Sequence, residues 1–320
     1  MNARTEHAHP FRAYTLWFLG VFVAVNVLFV GLSEYGVRRW VAPRSDVEIH
    51  IRLLQSRAEV AAVFGDSRVV NGIDPPPGVV NLGYPGDNLE TTLDKLATWA
   101  AQHRAPRGLL ELGPQQFSLL RLLSDQKELA DDVLNRSHPT MQMFRPVFRR
   151  YLLEYWRSAL TEPGRFFHPP QPVRQPNRPG VKADPDFQRM SQLPPAEQQR
   201  QSWLRLHLHA PMNDFAASKA MRRLEETLSS VREQGMAPCL ATFPVSGVYA
   251  DQAERFPAFA GVRAHLAALA RRLDLPYVDA WRDFSDDLFS DPDHLNPDGA
   301  ARLTPLILHR CWPDVFPPPP

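Results

Sequence analysis

The sequence has 320 residues, 44% of them hydrophobic, and its 36 basic and 35 acidic side chains give a formal net charge of +1. A near-neutral chain of this length can bury one sizeable core. It lacks the basic surplus typical of nucleic-acid-binding proteins, so no nucleic-acid partner is expected. The prolines concentrate at 163–195 and 317–320, which marks loops and tails.

An uncharged apolar stretch follows a short N-terminal tail at 1–12. Residues 13–33 read AYTLWFLGVFVAVNVLFVGLS, with Asn26 as the strongly polar interior residue, and about 20 apolar residues suffice to cross a bilayer. A cleaved signal peptide has a shorter apolar core and a small-x-small cleavage site, and neither is evident. We therefore expect a single-pass anchor in the lipid bilayer, followed by a juxtamembrane linker at 34–58; a buried soluble helix is the alternative.

The side of the membrane on which the domain lies does not follow from charge or from cysteine content. Two arginines precede the apolar stretch and three follow it, which tilts the positive-inside rule slightly toward a cytoplasmic domain. The cysteines, Cys239 and Cys311, fit a disulfide in an oxidising compartment as well as they fit two buried thiols.

Residues 59–312 alternate short apolar runs with helical patterns, which predicts an α/β domain with a parallel sheet. The runs predicted as strands are 61–64, 79–82, 108–112, 237–243 and 276–279. Helices are predicted from a cap at Asn88 to about 102, from Asn213 or Asp214 to about 234, over 262–273, and up to about 310. A Pro-rich tail at 313–320 follows the domain.

Residues 118–209 interrupt this alternation with aromatic and basic sequence and then a Pro-rich span. We interpret them as an insertion, which is either a lid over the functional crevice or a flexible excursion with no role in the chemistry. Within it, His207 and His209 alternate on an extended segment, and no further metal ligands accompany them. Since no metal or nucleotide signature occurs in the sequence, no metal and no cofactor is expected.

Three predicted strands end in polar, glycine-containing loops that hold Ser67, Gly86 and Gln115. Because the carboxyl ends of parallel strands meet at one edge of a sheet, we expect these residues to face one crevice. Ser67, in the Gly-Asp-Ser segment 65–67, is the candidate nucleophile; the alternative is an ordinary turn of the same composition. Asp66 is predicted to stabilise this turn. Arg68 is predicted either to hold a substrate anion or to be a surface arginine.

The chain contains one Asp-x-x-His sequence, formed by Asp291 and His294, in the loop after the last predicted strand. Three residues apart in a turn, the carboxylate can reach one ring nitrogen and leave the other free to accept a proton from a serine. Asp293 competes for the same histidine, but the turn geometry favours Asp291.

In this order the segments resemble the sequence blocks of the SGNH or GDSL hydrolases, over about 60–308. Segment 65–67 resembles the first block, with Ser67 as nucleophile. Segment 80–87 is similar to the second block, and the resemblance implies that the Gly86 N–H stabilises the oxyanion together with the Ser67 N–H. Segment 291–294 resembles the last block. The resemblance implies a three-layer α/β/α domain and acyl transfer through a Ser67-His294-Asp291 triad.

The third block departs from this pattern, because Gln115 stands where the family has an asparagine whose amide completes the oxyanion hole. Glutamine keeps the amide donor but adds one methylene, and losing such a donor typically costs on the order of a hundred- to a thousandfold in rate. We expect Gln115 to act as the third oxyanion donor; the alternative is an exposed polar residue after a strand.

An anchor followed by a domain with Gly-Asp-Ser-Arg at 65–68 and Asp-His-Leu-Asn-x-x-Gly-Ala at 293–300 resembles accessory proteins of cell-surface polysaccharide O-acetylation and teichoic-acid D-alanylation. The resemblance implies a periplasmic or extracytoplasmic domain at the cytoplasmic membrane. It also implies an O-acylated saccharide or cell-envelope polymer as substrate and a membrane O-acyltransferase as partner. The competing hypothesis is a non-catalytic scaffold that binds such a polymer or partner.

Overall fold

The computed structural model describes residues 8–42, 50, 52–55, 61–103, 106–123, 141–144, 152–153, 156–157, 160–161 and 189–318. The chain divides into two compact units. The first comprises Met1–Ile49 and Asn135–Arg174, and the second comprises His50–Leu134 and Gln175–Pro320. The insertion predicted at 118–209 therefore contributes to both units, and most of its Pro-rich span lies outside the described residues.

The first unit is dominated by helix α1, Ala8–Gly36, which continues into a π-helical turn at Val37–Val41. One helix in the described part of the chain, over Ala13–Trp40, is long and apolar enough to cross a membrane. Its apolar side chains are exposed, which argues against the alternative of a buried soluble helix. This helix is consistent with the expected single-pass anchor, and it extends beyond 33 into the segment predicted as a linker.

The second unit is built on a five-stranded, fully parallel sheet with the order β2-β1-β3-β4-β5. The strands are β1 Ala61–Phe64, β2 Val79–Asn81, β3 Arg107–Glu111, β4 Ala237–Thr242 and β5 Tyr277–Asp279. Each predicted strand is present, and its ends differ from the prediction by at most one residue. The order reverses beside β1, which places the carboxyl ends of β1 and β3 at the switch point where ligands bind in such folds.

Eight α-helices of the second unit fall within the described residues: α2 Ser67–Gly72, α3 Leu89–Gln102, α4 Leu119–Leu123, α5 Pro195–His209, α6 Lys219–Glu233, α7 Gly247–Ala253, α8 Pro257–Arg272 and α9 Pro297–Cys311. Short 3-10 turns occur at Pro114–Phe117, Met190–Gln192, Phe215–Ala217 and Asp286–Leu288.

Two predicted helix starts have different outcomes. Asn88 caps α3 as predicted, because its side chain accepts a hydrogen bond from the Thr91 N–H. The prediction that Asn213 or Asp214 caps the next helix is wrong. The chain first makes a 3-10 turn that buries Phe215, and α6 then begins after Ser218, whose side chain accepts from the Met221 N–H.

Helices cover both faces of the sheet, which confirms the predicted three-layer α/β/α domain. On one face, Val63 and Leu109 belong to the same buried cluster as Leu303 and Ile307 of α9. On the other face, the small Gly108 leaves room for Leu96 of α3, and α3 packs against α6. Alternation of side chains along each strand produces these two buried faces.

A disulfide joins Cys239 of β4 to Cys311 of α9, with the two Cα atoms 5.7 Å apart. The bond therefore fixes the central part of the sheet to the helix that covers it. Of the two alternatives that the sequence leaves open, the structure has the disulfide.

Candidate active site

Ser67 lies where β1 passes into α2. The preceding residue, Asp66, caps this short helix, because its Oδ1 accepts a hydrogen bond from the Arg68 N–H at 2.9 Å. A Cβ atom on Gly65 would lie 2.5 Å from Val69, so only glycine permits this close passage from strand to helix. The predicted turn-stabilising role of Asp66 is confirmed, and the turn leaves Ser67 half-buried at the helix start.

A chain of hydrogen bonds connects Ser67, His294 and Asp291. The Ser67 Oγ lies 2.8 Å from the His294 Nε2, and the His294 Nδ1 lies 2.8 Å from the Asp291 Oδ2. The other carboxylate oxygen of Asp291 accepts the backbone N–H groups of Asp293 and His294, at 3.0 and 2.9 Å. The loop itself therefore holds Asp291 in place, and the structure brings together the three residues predicted from the sequence to form a triad.

A second carboxylate, that of Asp293, lies beside the same imidazole. Its Oδ1 is 3.6 Å from the His294 Nδ1, which is beyond hydrogen-bond distance, so Asp291 is the acid that binds the ring. Asp293 is nonetheless almost fully buried. A buried carboxylate needs a compensating charge or hydrogen bonds.

Arg205 supplies that compensating charge from α5. Its Nε lies 2.9 Å from the Asp293 Oδ1, and its Nη2 donates to the Asp291 Oδ2 at 3.2 Å. His209, one turn further on, has its Nδ1 3.5 Å from the Asp293 Oδ2. Arg205 was not predicted from the sequence, because nothing in its local pattern indicates a partner 86 residues away.

The prediction that His207 and His209 lie on an extended segment is wrong, since both belong to α5. The signal for a helix is nevertheless present in the sequence. The buried residues Ser202, Leu206 and His209 recur at helical spacing, and a proline at the first turn suits a helix start. Helical spacing places His209 in the interior and leaves His207 exposed.

Charges around the imidazole shift three pKa values in this loop. Burial disfavours the charged ring, but the carboxylates of Asp293 and Asp291 outweigh burial and raise the pKa of His294 to about 9. Burial also opposes ionisation of Asp291, yet His294 and Arg205 hold its pKa well below the usual range. Burial, reinforced by Asp291, raises the pKa of Asp293. Asp291 is therefore the carboxylate that stays ionised most readily.

Gly86 lies in the turn that follows β2, with a φ of 89°, in the region that favours glycine. This turn is hydrogen-bonded to segment 65–67, because the Tyr84 N–H donates to the Gly65 carbonyl at 3.1 Å. Among the described residues, neither the Ser67 nor the Gly86 backbone N–H has a hydrogen-bond acceptor. Both donors remain available to an oxyanion.

A buried ion pair supports the same turn from behind. The Lys95 Nζ of α3 lies 2.5 Å from the Asp87 Oδ2, and both side chains are fully buried. Burial raises the pKa of Asp87 to about 6 and lowers that of Lys95, while each charge opposes the shift of the other. The ion pair therefore links Asp87, the residue after Gly86, to helix α3.

Gln115 lies in the 3-10 turn after β3 and is buried, not exposed. Its Nε2 donates to the Glu111 Oε1 at 3.0 Å, so the extra methylene of glutamine lets the amide fold back onto the end of its own strand. An amide carries two N–H groups, and this bond uses one of them. The role of Gln115 as an oxyanion donor stays a prediction.

The prediction that Arg68 is a surface arginine is wrong, because its side chain is only 3% exposed; the alternative, that it holds a substrate anion, stays a prediction. The Arg68 Nη1 lies 3.2 Å from the Glu111 Oε1, and Nη2 donates to the Phe243 carbonyl at 2.7 Å. Arg68 thus links α2 to the ends of β3 and β4. Burial raises the pKa of Glu111 to about 7, although the charge of Arg68 opposes this change.

Arg121 of α4, which belongs to the predicted insertion, contacts segment 65–67. Its Nη2 lies 3.0 Å from the Asp66 Oδ2, and its Nη1 donates to the Asp87 carbonyl at 3.5 Å. One guanidinium thus contacts the residue before Ser67 and the residue after Gly86. Arg121 and Arg205 show that described parts of the insertion contact the segments that hold Ser67 and His294.

Asp291, Asp293 and His294 have ligand atoms within 4.8 Å of one another, close enough to share a metal ion. Arg205 already bridges the two carboxylates, and the His294 Nε2 is directed to Ser67. This arrangement fits a proton-transfer chain better than a metal site. A scan against protein-family models finds no match to this sequence, and a search among curated proteins finds no similar chain.

Proposed function

We propose that this protein is a membrane-anchored serine esterase or O-acyltransferase with Ser67 as nucleophile. The observation that carries the proposal is the continuous hydrogen-bond chain from the Ser67 Oγ through His294 to Asp291, with 2.8 Å at each step. Geometry of this kind activates a serine for covalent catalysis on any fold. The resemblance of the same three residues to the SGNH blocks supports the proposal independently.

In the first half-reaction, the Ser67 Oγ attacks the ester carbonyl while the His294 Nε2 accepts the serine proton. Asp291 holds the proton on Nδ1 and stabilises the imidazolium that forms. The backbone N–H groups of Ser67 and Gly86 donate to the oxyanion of the tetrahedral intermediate, with the Gln115 amide as the third donor. The intermediate then expels the alcohol, which takes the proton from His294, and an acyl ester remains on Ser67.

In the second half-reaction, His294 deprotonates the acceptor, which attacks the acyl-serine; the tetrahedral intermediate then expels the Ser67 Oγ, which takes the proton back from His294. Water as acceptor gives hydrolysis, and a saccharide hydroxyl gives transfer. Because the pKa of His294 is about 9, the base is largely protonated at neutral pH, and the reaction accelerates as the pH rises toward that value.

We place the catalytic domain outside the cytoplasm, anchored to the cytoplasmic membrane by the helix over Ala13–Trp40. The Cys239–Cys311 disulfide supports this placement, because thiols of cytosolic proteins are kept reduced. The substrate in this proposal is an O-acylated saccharide or cell-envelope polymer, and the partner is a membrane O-acyltransferase. Both follow from the resemblance to accessory proteins of cell-surface polymer acylation.

A fluorophosphonate probe tests the proposal on the full-length protein in detergent. We expect the probe to label the wild type, and Ser67→Ala to abolish labelling while the control Ser229→Ala, on α6, leaves it intact. We expect His294→Ala to slow labelling at least about a hundredfold, with His207→Ala on α5 as the matched control. Absence of labelling in the folded wild type would overturn the proposal and favour the non-catalytic scaffold.

Hydrolysis and transfer are then separated with p-nitrophenyl acetate as donor. An esterase releases acetate at a rate that does not change when a saccharide acceptor is added. A transferase produces acetylated saccharide at the expense of acetate, which mass spectrometry detects directly.

A further inference from the structure

We infer that Arg205 is a positioning residue of the triad: it holds the Asp291 carboxylate toward His294 and neutralises the second carboxylate, Asp293, so that the imidazole keeps its function as a base. This inference rests on the proposed serine chemistry. It also assigns to the α5 part of the insertion the role of positioning the carboxylates beside His294, whereas the sequence suggests either a lid or a flexible segment.

The geometry of the guanidinium is the first argument. Its Nη2 donates to the Asp291 Oδ2, at 3.2 Å, and the same oxygen binds the His294 Nδ1 at 2.8 Å. Its Nε lies 2.9 Å from the Asp293 Oδ1. The planar fork of arginine suits two oxygen atoms in fixed directions. Arg205 therefore sets the relative orientation of both carboxylates, one of which orients the histidine.

The anchoring of α5 is the second argument, because a positioning residue must itself be fixed. The residues on either side of Arg205 along the buried face, Ser202, Leu206 and His209, are buried. His209 and the Tyr249 hydroxyl of α7 lie 3.4 Å apart, and α5 packs along α7. The helix backbone that carries Arg205 is thus docked on the sheet unit.

The charge balance is the third argument. Among the described residues, the charged or ionisable side chains that act on this loop or on His209 beside it are Arg205 and His209 from α5, Tyr249 from α7, Arg68 and Asp66 at the start of α2, and Arg121 from α4; Arg121 is paired with Asp66. Burial lowers the pKa of His209 to about 3, so this ring is neutral and compensates no charge. Arg68 is paired with Glu111. Arg205 is therefore the cation that contacts both carboxylates.

The consequence for His294 follows from electrostatics. Two carboxylates beside one imidazole favour the imidazolium, which cannot accept the serine proton. Although burial is the largest influence on the pKa of His294, the charge of Arg205 acts against the two carboxylates and lowers this pKa. Without Arg205, the pKa of His294 would be higher and the ring more often protonated. Asp291, which is 31% exposed, would lose the Arg205 hydrogen bond that holds it in addition to the backbone N–H groups of the loop.

The test compares Arg205→Gln and Arg205→Lys with a control on the same helix, Arg200→Gln. Arg200 is exposed and pairs with Glu197, away from the triad. The first readout is the titration of His294 in the full-length protein, followed by NMR with ¹³C-labelled histidine and assigned with His294→Gln. We expect Arg205→Gln to raise the pKa of His294 by about one pH unit, Arg205→Lys to restore most of the wild-type value, and the control to change nothing.

The second readout is the rate of fluorophosphonate labelling as a function of pH. We expect Arg205→Gln to lower the rate about tenfold at pH 7, with the loss shrinking as the pH rises, and Arg205→Lys to recover most of it. An unchanged His294 titration together with an unchanged labelling profile would overturn the inference, and so would a loss that is equal at every pH. If the wild type is not labelled, the proposed function fails, while the NMR titration still decides the role of Arg205.

Discussion

Replacing Asp293 by Asn tests the electrostatics of the triad with the smallest change in shape. The carboxylate lies 3.6 Å from the His294 Nδ1, and at an effective dielectric constant of about 20 its attraction for the imidazolium is about 4.6 kcal/mol, or roughly three pKa units. Because burial and Asp291 raise the pKa of Asp293 and weaken its ionisation, we expect about two units of this effect. Asp293→Asn should therefore lower the pKa of His294 from about 9 toward about 7.

The assay is the rate of fluorophosphonate labelling between pH 6 and 10. The reactive form needs a neutral imidazole, so the rate rises with pH and levels off above the pKa. At pH 7 the neutral fraction should increase from about one hundredth in the wild type to about one half in Asp293→Asn, which predicts labelling up to about fiftyfold faster. Asp298→Asn, outside the triad, is the control. A pH midpoint within about half a unit of the wild type would refute the reasoning.

Three further changes probe the oxyanion hole and stability. Gln115→Ala should lower kcat for p-nitrophenyl acetate on the order of a hundredfold. An unchanged kcat would show that Gln115 is not an oxyanion donor. Lys95→Met leaves the buried Asp87 carboxylate without its cation and should cost about 3–5 kcal/mol of unfolding free energy in urea, whereas a loss under about 1 kcal/mol contradicts this pairing. Reducing the Cys239–Cys311 disulfide, which spans 72 residues, should lower stability by about 4 kcal/mol; equal urea midpoints with and without reductant would contradict this.

The sheet was predictable because its strands are short apolar runs followed by polar loops. The runs at 61–64 and 237–243 have the composition of strands buried on both faces, and both appear within one residue of their predicted ends. Parallel strands share one functional edge, which is why Ser67 and the Asp291–His294 loop were expected together.

The ion pairs around Ser67 and His294 could not be predicted from the sequence in the same way. Arg68 is adjacent to Ser67 in sequence, yet its partner Glu111 ends another strand, and the contact between Arg205 and Asp291 depends on the packing of α5 against α7. Ion pairs between distant segments leave no periodic pattern. The helix that carries Arg205 was recognisable from its spacing, but the direction of that one side chain depends on packing that no local rule supplies.

The hydrogen bond between Ser67 and His294 joins residues 227 positions apart. Because of this separation, Ser67 is synthesised long before its hydrogen-bond partner. Ser67 and the strands β1 to β4 leave the ribosome before His294 has been translated. Until the loop before α9 has folded against the sheet, Ser67 is an ordinary hydroxyl of low reactivity. In the proposed mechanism, the nascent chain therefore gains reactivity toward esters only when its last strand and last described helix are in place.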